Sequence, residues 1–231
     1  MDILLIVLLF VLAYLVGSIP FSVIIGKVFK QIDIREHGSG NPGTTNAFRV
    51  LGKNLGTLVF VLDVFKGGFM ILLIRIGWLP DTGVPILLFG FTSAVGHIFP
   101  VFLRFKGGKA VATGVGIFLF YAPILGLVGL LGYIITLKIT RYVSVASCTG
   151  TLALAIVSYG VFIWGAEEGI RLLLFGPSGD WIMPVVTTLG TLMIVYRHKG
   201  NFIKIAKGIE PKSRFLQSRN RLLKEDKPHT S

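Results

Sequence analysis

Residues 110–137 read AVATGVGIFLFYAPILGLVGLLGYIITL, 28 positions without a charge and with Ala122-Pro123 near the middle. A membrane-crossing helix needs about 20 apolar residues, with roughly 17–25 usual. The stretch fits either one long helix kinked at the proline or two short helices that turn there. The choice sets the orientation of everything after it, and the basic residues decide it. Twenty of the 23 Lys and Arg fall in four clusters: Lys27, Lys30, Arg35, Arg49 and Lys53; Arg104, Lys106 and Lys109; Lys138 and Arg141; and ten between residues 197 and 227. Two passes between Lys109 and Lys138 put all four clusters on one side, as the positive-inside rule asks of the cytoplasmic face. One pass would invert the second half of the chain. The two-pass reading follows.

Outward from this stretch, residues 3–26, 82–103, 142–166 and 181–196 are also uncharged, and 57–79 is apolar apart from Asp63, Lys66 and Arg75. The expected fold is all-α: an integral membrane protein with seven transmembrane helices, N-terminus outside, C-terminus cytoplasmic, and its active-site loops on the cytoplasmic side. Asp2, Asp81, Glu167, Glu168 and Asp180 then lie outside with Arg171. The N-terminal run is not read as a cleavable signal, since it lacks a basic leader, is too long, and is followed by more spans. Residues 1–210 are expected to form the transmembrane domain, and 211–231 a flexible basic tail near anionic headgroups.

The composition agrees. Of 231 residues, 53% are hydrophobic and 15% charged, yet the net charge is +12. A DNA-binding domain would be basic but far more polar, and a disordered chain poorer in Ile, Leu, Val and Phe. Cys148, the single cysteine, excludes an internal disulfide and a cysteine-based zinc cluster. Glycine is abundant, which means close helix packing in spans or backbone that meets a ligand in loops.

Four cytoplasmic segments are unlike ordinary connectors. Residues 38–49, GSGNPGTTNAFR, combine glycines, hydroxyls, amides and Arg49. Glycines let N–H groups converge on an anion, Pro42 suits a helix start, and Arg49 suits a bidentate phosphate contact. The run is not a Walker A loop, because Thr44-Thr45 stands where Lys-Ser/Thr is required. Residues 96–113 contain His97 and Lys106-Gly107-Gly108-Lys109, two ammonium groups around a free backbone turn with Thr113 one helical turn on. Residues 138–147 put Ser144 and Ser147 on one helix face, where serines also bond back to the carbonyl four residues earlier. Residues 196–210 hold His198 and Asn201 at the same spacing. Asp63 and Lys66, inside a span, should pair and face the interior.

Carboxylates are scarce on this face, which disfavours a two-carboxylate mechanism or a hard-metal site. No Gly-x-Ser-x-Gly elbow is present, and no histidine is followed five residues later by aspartate. The residues point to a phosphate-bearing substrate at the inner membrane surface. A transporter for a small organic phosphate is the rival class, but no internal repeat supports it.

The four segments GSGNPGTTN from Gly38, GHIFPVFLRFKGGK from Gly96, RYVSVAS from Arg141, and RHKGN with GIE from Arg197 together resemble the bacterial acyl-phosphate:glycerol-3-phosphate acyltransferases over roughly residues 5–210. The resemblance implies seven spans in the bacterial inner membrane and a cytoplasmic site. It implies transfer of a fatty acyl group from acyl phosphate to the 1-hydroxyl of glycerol 3-phosphate, without metal or cofactor, with no nucleic acid partner, and with the enzyme that makes acyl phosphate as functional partner. Residue by residue, it implies that Ser39, Asn41, Asn46 and Arg49 bind glycerol 3-phosphate. Lys109 holds phosphate within the cradle of Lys106, Gly107 and Gly108, Ser147, His198 and Asn201 line the reaction, and His97 supports it. The chain departs from the pattern at Ala110, where Gly is usual, at Thr44, where Ala is usual, and at Lys199-Gly200, where Arg-Glu is usual. Residues 164–180 and the tail are longer than the family pattern needs.

Overall fold

Proline and buried charge set where the helices begin, end and turn. In a computed structural model of the chain, residues 3–164 and 181–213 are described. The described residues form helices and connecting turns, with no strand. The helices are α1 (Ile3–Ser18), α2 (Phe21–Lys30), α3 (Thr44–Leu51), α4 (Lys53–Arg75), α5 (Leu87–Ile98), α6 (Val111–Tyr121), α7 (Pro123–Thr140), α8 (Val143–Trp164), α9 (Ile182–Arg197) and α10 (Lys199–Ala206). The tail beyond 213, and the acidic loop with Glu167, Glu168, Arg171 and Asp180, lie outside the described residues.

The 28-residue apolar stretch is two helices. Pro123 is the first residue of α7, where its missing N–H costs nothing. Gly126 packs within 3.2 Å of the Leu119 backbone, measured from where a Cβ would stand; seven residues of continuous helix would be about 10 Å long. The chain therefore folds back at Ala122. Arg75, the last residue of α4, donates from both terminal nitrogens to the Phe120 and Tyr121 carbonyls, each at 2.6 Å. It thus caps the C-terminal end of α6, where carbonyls lack helical partners. Of the two cations within residues 57–79, Arg75 is a helix cap.

The first apolar stretch differs from a single straight span. It breaks at Ile19-Pro20, and α1 and α2 meet at 42°. By length and composition, α4, α7 and α8 can each cross a membrane, and the bent pair α1–α2 makes a fourth. The helices α5, α6 and α9 have 12, 11 and 16 residues. At 1.5 Å per residue they reach roughly 17–24 Å, short of a hydrocarbon core of about 30 Å. A core of Ile71, Leu87, Phe118, Leu125, Leu154 and Met183 joins α4 through α9. The α4–α6 crossing is close because a Cβ on Gly67 would overlap the Thr113 carbonyl and one on Gly116 the Val64 carbonyl. Some of the abundant glycine is thus packing glycine, as small residues at membrane helix crossings are.

Asp63 and Lys66 pair as expected. Their N···O distance is 2.8 Å, and the side chains are 1% and 3% exposed. The Lys66 ammonium also donates to the Ile19 carbonyl at 2.8 Å, at the α1–α2 break, and lies over the Phe21 ring. The second Asp63 oxygen accepts from the Thr44 hydroxyl at 3.1 Å, at the start of α3. One ion pair thus joins three elements. Removing one member of such a pair leaves an uncompensated buried charge, costing about 3–5 kcal/mol. Lys66→Met should lower the unfolding midpoint in detergent accordingly, and Asp63→Asn in the same chain should restore part of it. A Lys66→Met protein as stable as wild type would show that the pair is not what holds these elements.

Candidate active site

The segment before α3 is built around Asn46. Its Nδ2 donates to the Ile34 carbonyl at 2.9 Å and the His37 carbonyl at 3.0 Å, while Oδ1 accepts the Ser39 N–H at 2.8 Å. Both amide hydrogens are therefore spent inside the protein, and Asn46, 1% exposed, shapes the loop that presents Ser39 and Asn41. Pro42 lies just ahead of α3 rather than in its first turn, because Gly43 is the N-terminal cap. Arg49, on α3, is exposed, and its side chain has no hydrogen bond or ion pair among the described residues.

The second segment folds against the end of α5. Gly107 N–H donates to the Ile98 carbonyl and Gly108 N–H to the His97 carbonyl, at 3.2 and 3.1 Å. A Cβ on Gly107 would overlap the His97 carbonyl, and one on Gly108 the His97 ring. The paired glycines answer to this close approach. The His97 Nδ1 shares a hydrogen bond with the Thr113 hydroxyl at 3.1 Å and stands 3.9 Å from Asp63 Oδ1. Thr113 is fully buried by that contact, which removes it from the cradle the spacing suggested. Lys106 is exposed, and its side chain makes no hydrogen bond or ion pair among the described residues.

Lys109 meets the last segment. Its Nζ donates to Asn201 Oδ1 at 2.5 Å, and Asn201 Nδ2 donates to Glu210 Oε1 at 2.7 Å. Arg197 reaches 90 residues back to donate to the Gly107 carbonyl at 2.7 Å, and its buried Nε has no partner among the described residues. Burial pushes the Lys109 ammonium down to about 8; Glu210 acts the other way, and Arg197 and Arg49 add to the lowering. So Lys109, Asn201, Glu210, Arg197 and Arg49 form one electropositive group with a single carboxylate, already engaged.

His198 ends α9. Its Nδ1 lies 2.8 Å from the Ile194 carbonyl. A carbonyl only accepts, so Nδ1 carries the hydrogen and Nε2 is left as an acceptor. Burial first, then the Lys109 charge, lowers its proton affinity to about 4, so the ring is neutral near pH 7. Ser147 bonds back to the Val143 carbonyl at 2.8 Å. Arg197 and Glu210 were not singled out from the sequence: one read as part of the last basic cluster and the other as the end of a motif, and their partners are ninety and nine residues away.

Residues 7–208 match the family described as Glycerol-3-phosphate acyltransferase. The chain belongs to the glycerol-3-phosphate acyltransferase family. Relatives so named include one from Listeria monocytogenes serovar 1/2a, 42% identical over 210 residues that cover 91% of this chain and 98% of the relative. Another, from Bacillus subtilis strain 168, is 42% identical over 212 residues, 92% of this chain and all of the relative. The crystal structure of PlsY, an integral membrane glycerol 3-phosphate acyltransferase, in its glycerol 3-phosphate form is similar with a TM-score of 0.74 at 33% identity, covering 94% of this chain and 98% of that one. A lysophosphatidic acid form of PlsY gives 0.71 at 34%, covering 89% and 94%. With these relatives and its apolar helices, the chain is a membrane acyltransferase acting on glycerol 3-phosphate.

Ala110, one of the departures from the family pattern, has φ +58° as the cap of α6. Glycine takes that conformation freely, whereas a Cβ costs about 1–2 kcal/mol there. Ala110→Gly should raise the unfolding midpoint of this family member or leave it level, the gain offset by unfolded-chain entropy. A clear fall would show that Ala110 is not strained.

Proposed function

We propose that this enzyme moves a fatty acyl group from acyl phosphate to the 1-hydroxyl of glycerol 3-phosphate, releasing lysophosphatidic acid and inorganic phosphate. The observation that carries the reading is Lys109: a partly desolvated ammonium, oriented by Asn201, with Arg197 and Arg49 close by and, among the described residues, no free carboxylate to neutralise them. Such a group favours a multiply charged anion, and both substrates bring a phosphate.

Acyl phosphate is a mixed anhydride with a good leaving group, so no covalent acyl-enzyme is required. Ser147, whose hydroxyl is turned to the Val143 carbonyl, suits a lining role better than that of a nucleophile. The glycerol hydroxyl oxygen attacks the acyl carbonyl carbon, and the bond from that carbon to the phosphate oxygen breaks. The proton goes to a substrate phosphate oxygen or to Nε2 of His198, whose basicity rises when a phosphate dianion sits beside it. Arg49, Ser39 and Asn41 bind glycerol 3-phosphate; Lys109 holds phosphate from the end of the Gly107-Gly108 turn, whose own N–H groups are spent on the Ile98 and His97 carbonyls; Asn201 orients Lys109; and Asn46 and His97 hold the two loops in shape. Lys106, exposed, attracts the anions at longer range.

In this proposal the α1–α2 pair, α4, α5, α6, α7, α8 and α9 are seven passes of the bacterial inner membrane, the N-terminus is outside, and residues 1–210 are the catalytic domain, with 211–231 a cytoplasmic tail at the lipid surface. The positive-inside pattern supports that orientation. The functional partner is the enzyme that supplies acyl phosphate. A transport path gains no support from the structure, because Asp63, Lys66 and Arg75 are each paired or capping within the described residues.

The test is phosphate release by the purified protein in detergent. Release should need both acyl phosphate and glycerol 3-phosphate, and Lys109→Ala and Arg49→Ala should each lose at least about tenfold, the scale of one charged contact. The free enzyme's Lys109 loses its proton near pH 8, so kcat/KM should fall as pH rises through about 8. Transfer from acyl-CoA but not from acyl phosphate would overturn the donor. Near-normal rates in the folded Lys109→Ala protein would overturn the site.

A further inference from the structure

The two serines of the third segment have different fates. Ser147, in the second turn of α8, donates back to the Val143 carbonyl. Ser144 is in the first turn, and the residue four positions before it, Thr140, belongs to α7, across the left-handed Arg141. The helical route open to Ser147 is closed to Ser144. Its side chain is 1% exposed, and Oγ has no hydrogen-bond partner among the described residues. A buried hydroxyl left alone is costly and needs an explanation.

The place of Ser144 supplies one. Cys148 is four residues on and so shares its helix face, and the Cys148 thiol lies within electrostatic reach of the Lys109 ammonium. An independent tether gives the same location. Glu210 holds Asn201, which holds Lys109; three residues later Ser213 N–H donates to the Arg141 carbonyl at 2.7 Å. Three residues of chain span at most about 11 Å. Lys212 also stands over the Tyr142 ring at 5.8 Å. The first turn of α8, with the positive end of its dipole, is therefore fastened beside the cationic group, where the Nε of Arg197 is likewise unpartnered.

We propose that Ser144 is a substrate contact: its hydroxyl donates to an oxygen of the phosphate held at Lys109, with the α8 N-terminus behind it. This rests on the acyltransfer reading and adds to it a residue and a helix end that the reading does not use. The phosphate can belong to glycerol 3-phosphate or to the acyl donor.

Ser144→Ala and Ser144→Thr in the full chain, in detergent, separate these cases. Thermal unfolding is measured with and without inorganic phosphate, and KM is measured for each substrate. The free Ser144→Ala protein should be as stable as wild type or more so, because an orphan hydroxyl is removed. Its phosphate-induced rise in midpoint should shrink, and one KM should increase about fivefold, the effect of one hydrogen bond, with kcat within about twofold. Ser144→Thr, which keeps a hydroxyl, should recover much of this. The substrate whose KM moves is the source of the phosphate. Unchanged KM for both substrates with a full phosphate shift would overturn the inference while wild-type turnover left the acyltransfer reading intact. Absence of both phosphate protection and turnover in wild type would overturn the two together.

Discussion

The buried ion pair of Asp63 and Lys66 is the constraint on which the arrangement depends. Inside an apolar helix either charge alone would be costly, so each must keep its partners. Those partners sit on other elements: the Ile19 carbonyl where α1 gives way to α2, and the Thr44 hydroxyl where α3 begins. His97, on α5, stands against the same aspartate and carries the glycine turn on its back. The first loop and the lysine loop, separated by some sixty residues, are thereby referred to one point in α4. The functional loops are mounted on a charge pair that membrane burial makes hard to break.

From that mount the chemistry follows a simple imbalance. Burial, with Arg197 and Arg49 in reach, lowers the proton affinity of Lys109, and Glu210 is already committed to Asn201. Partial burial removes much of the water that would otherwise screen Lys109. An anion with more than one charge, such as a phosphate, corrects the imbalance. His198 fits the same field: burial and Lys109 keep it neutral near pH 7, and a neighbouring anion would raise its basicity.

Much of this was legible in the sequence. Ala122-Pro123 marked the turn, because proline at a first helical position leaves a clear signal and the basic clusters demanded a reversal. Asp63 and Lys66 declared themselves as charges in a span. The break at Ile19-Pro20 was hidden inside an unbroken apolar run, and the short extents of α5, α6 and α9 were hidden in the same way. Long-range contacts were the least legible. Gly107 and Gly108 read as backbone free to meet phosphate, but both are shaped by the His97 ring and carbonyl. Asn46 read as a ligand and serves the loop; Arg197 read as a topology signal and reaches Gly107. Each role depends on a partner that spacing along the chain does not reveal.

The central claim is that phosphate binds among Lys109, Arg49 and the glycine loops. A crystal structure of this protein with glycerol 3-phosphate bound tests it most directly. The expected density places the phosphate within hydrogen-bond distance of the Lys109 ammonium or the Arg49 guanidinium, with the 1-hydroxyl toward His198. Phosphate bound at the opposite end of the helices, with Lys109 still turned to Asn201 and Arg49 free, would contradict it.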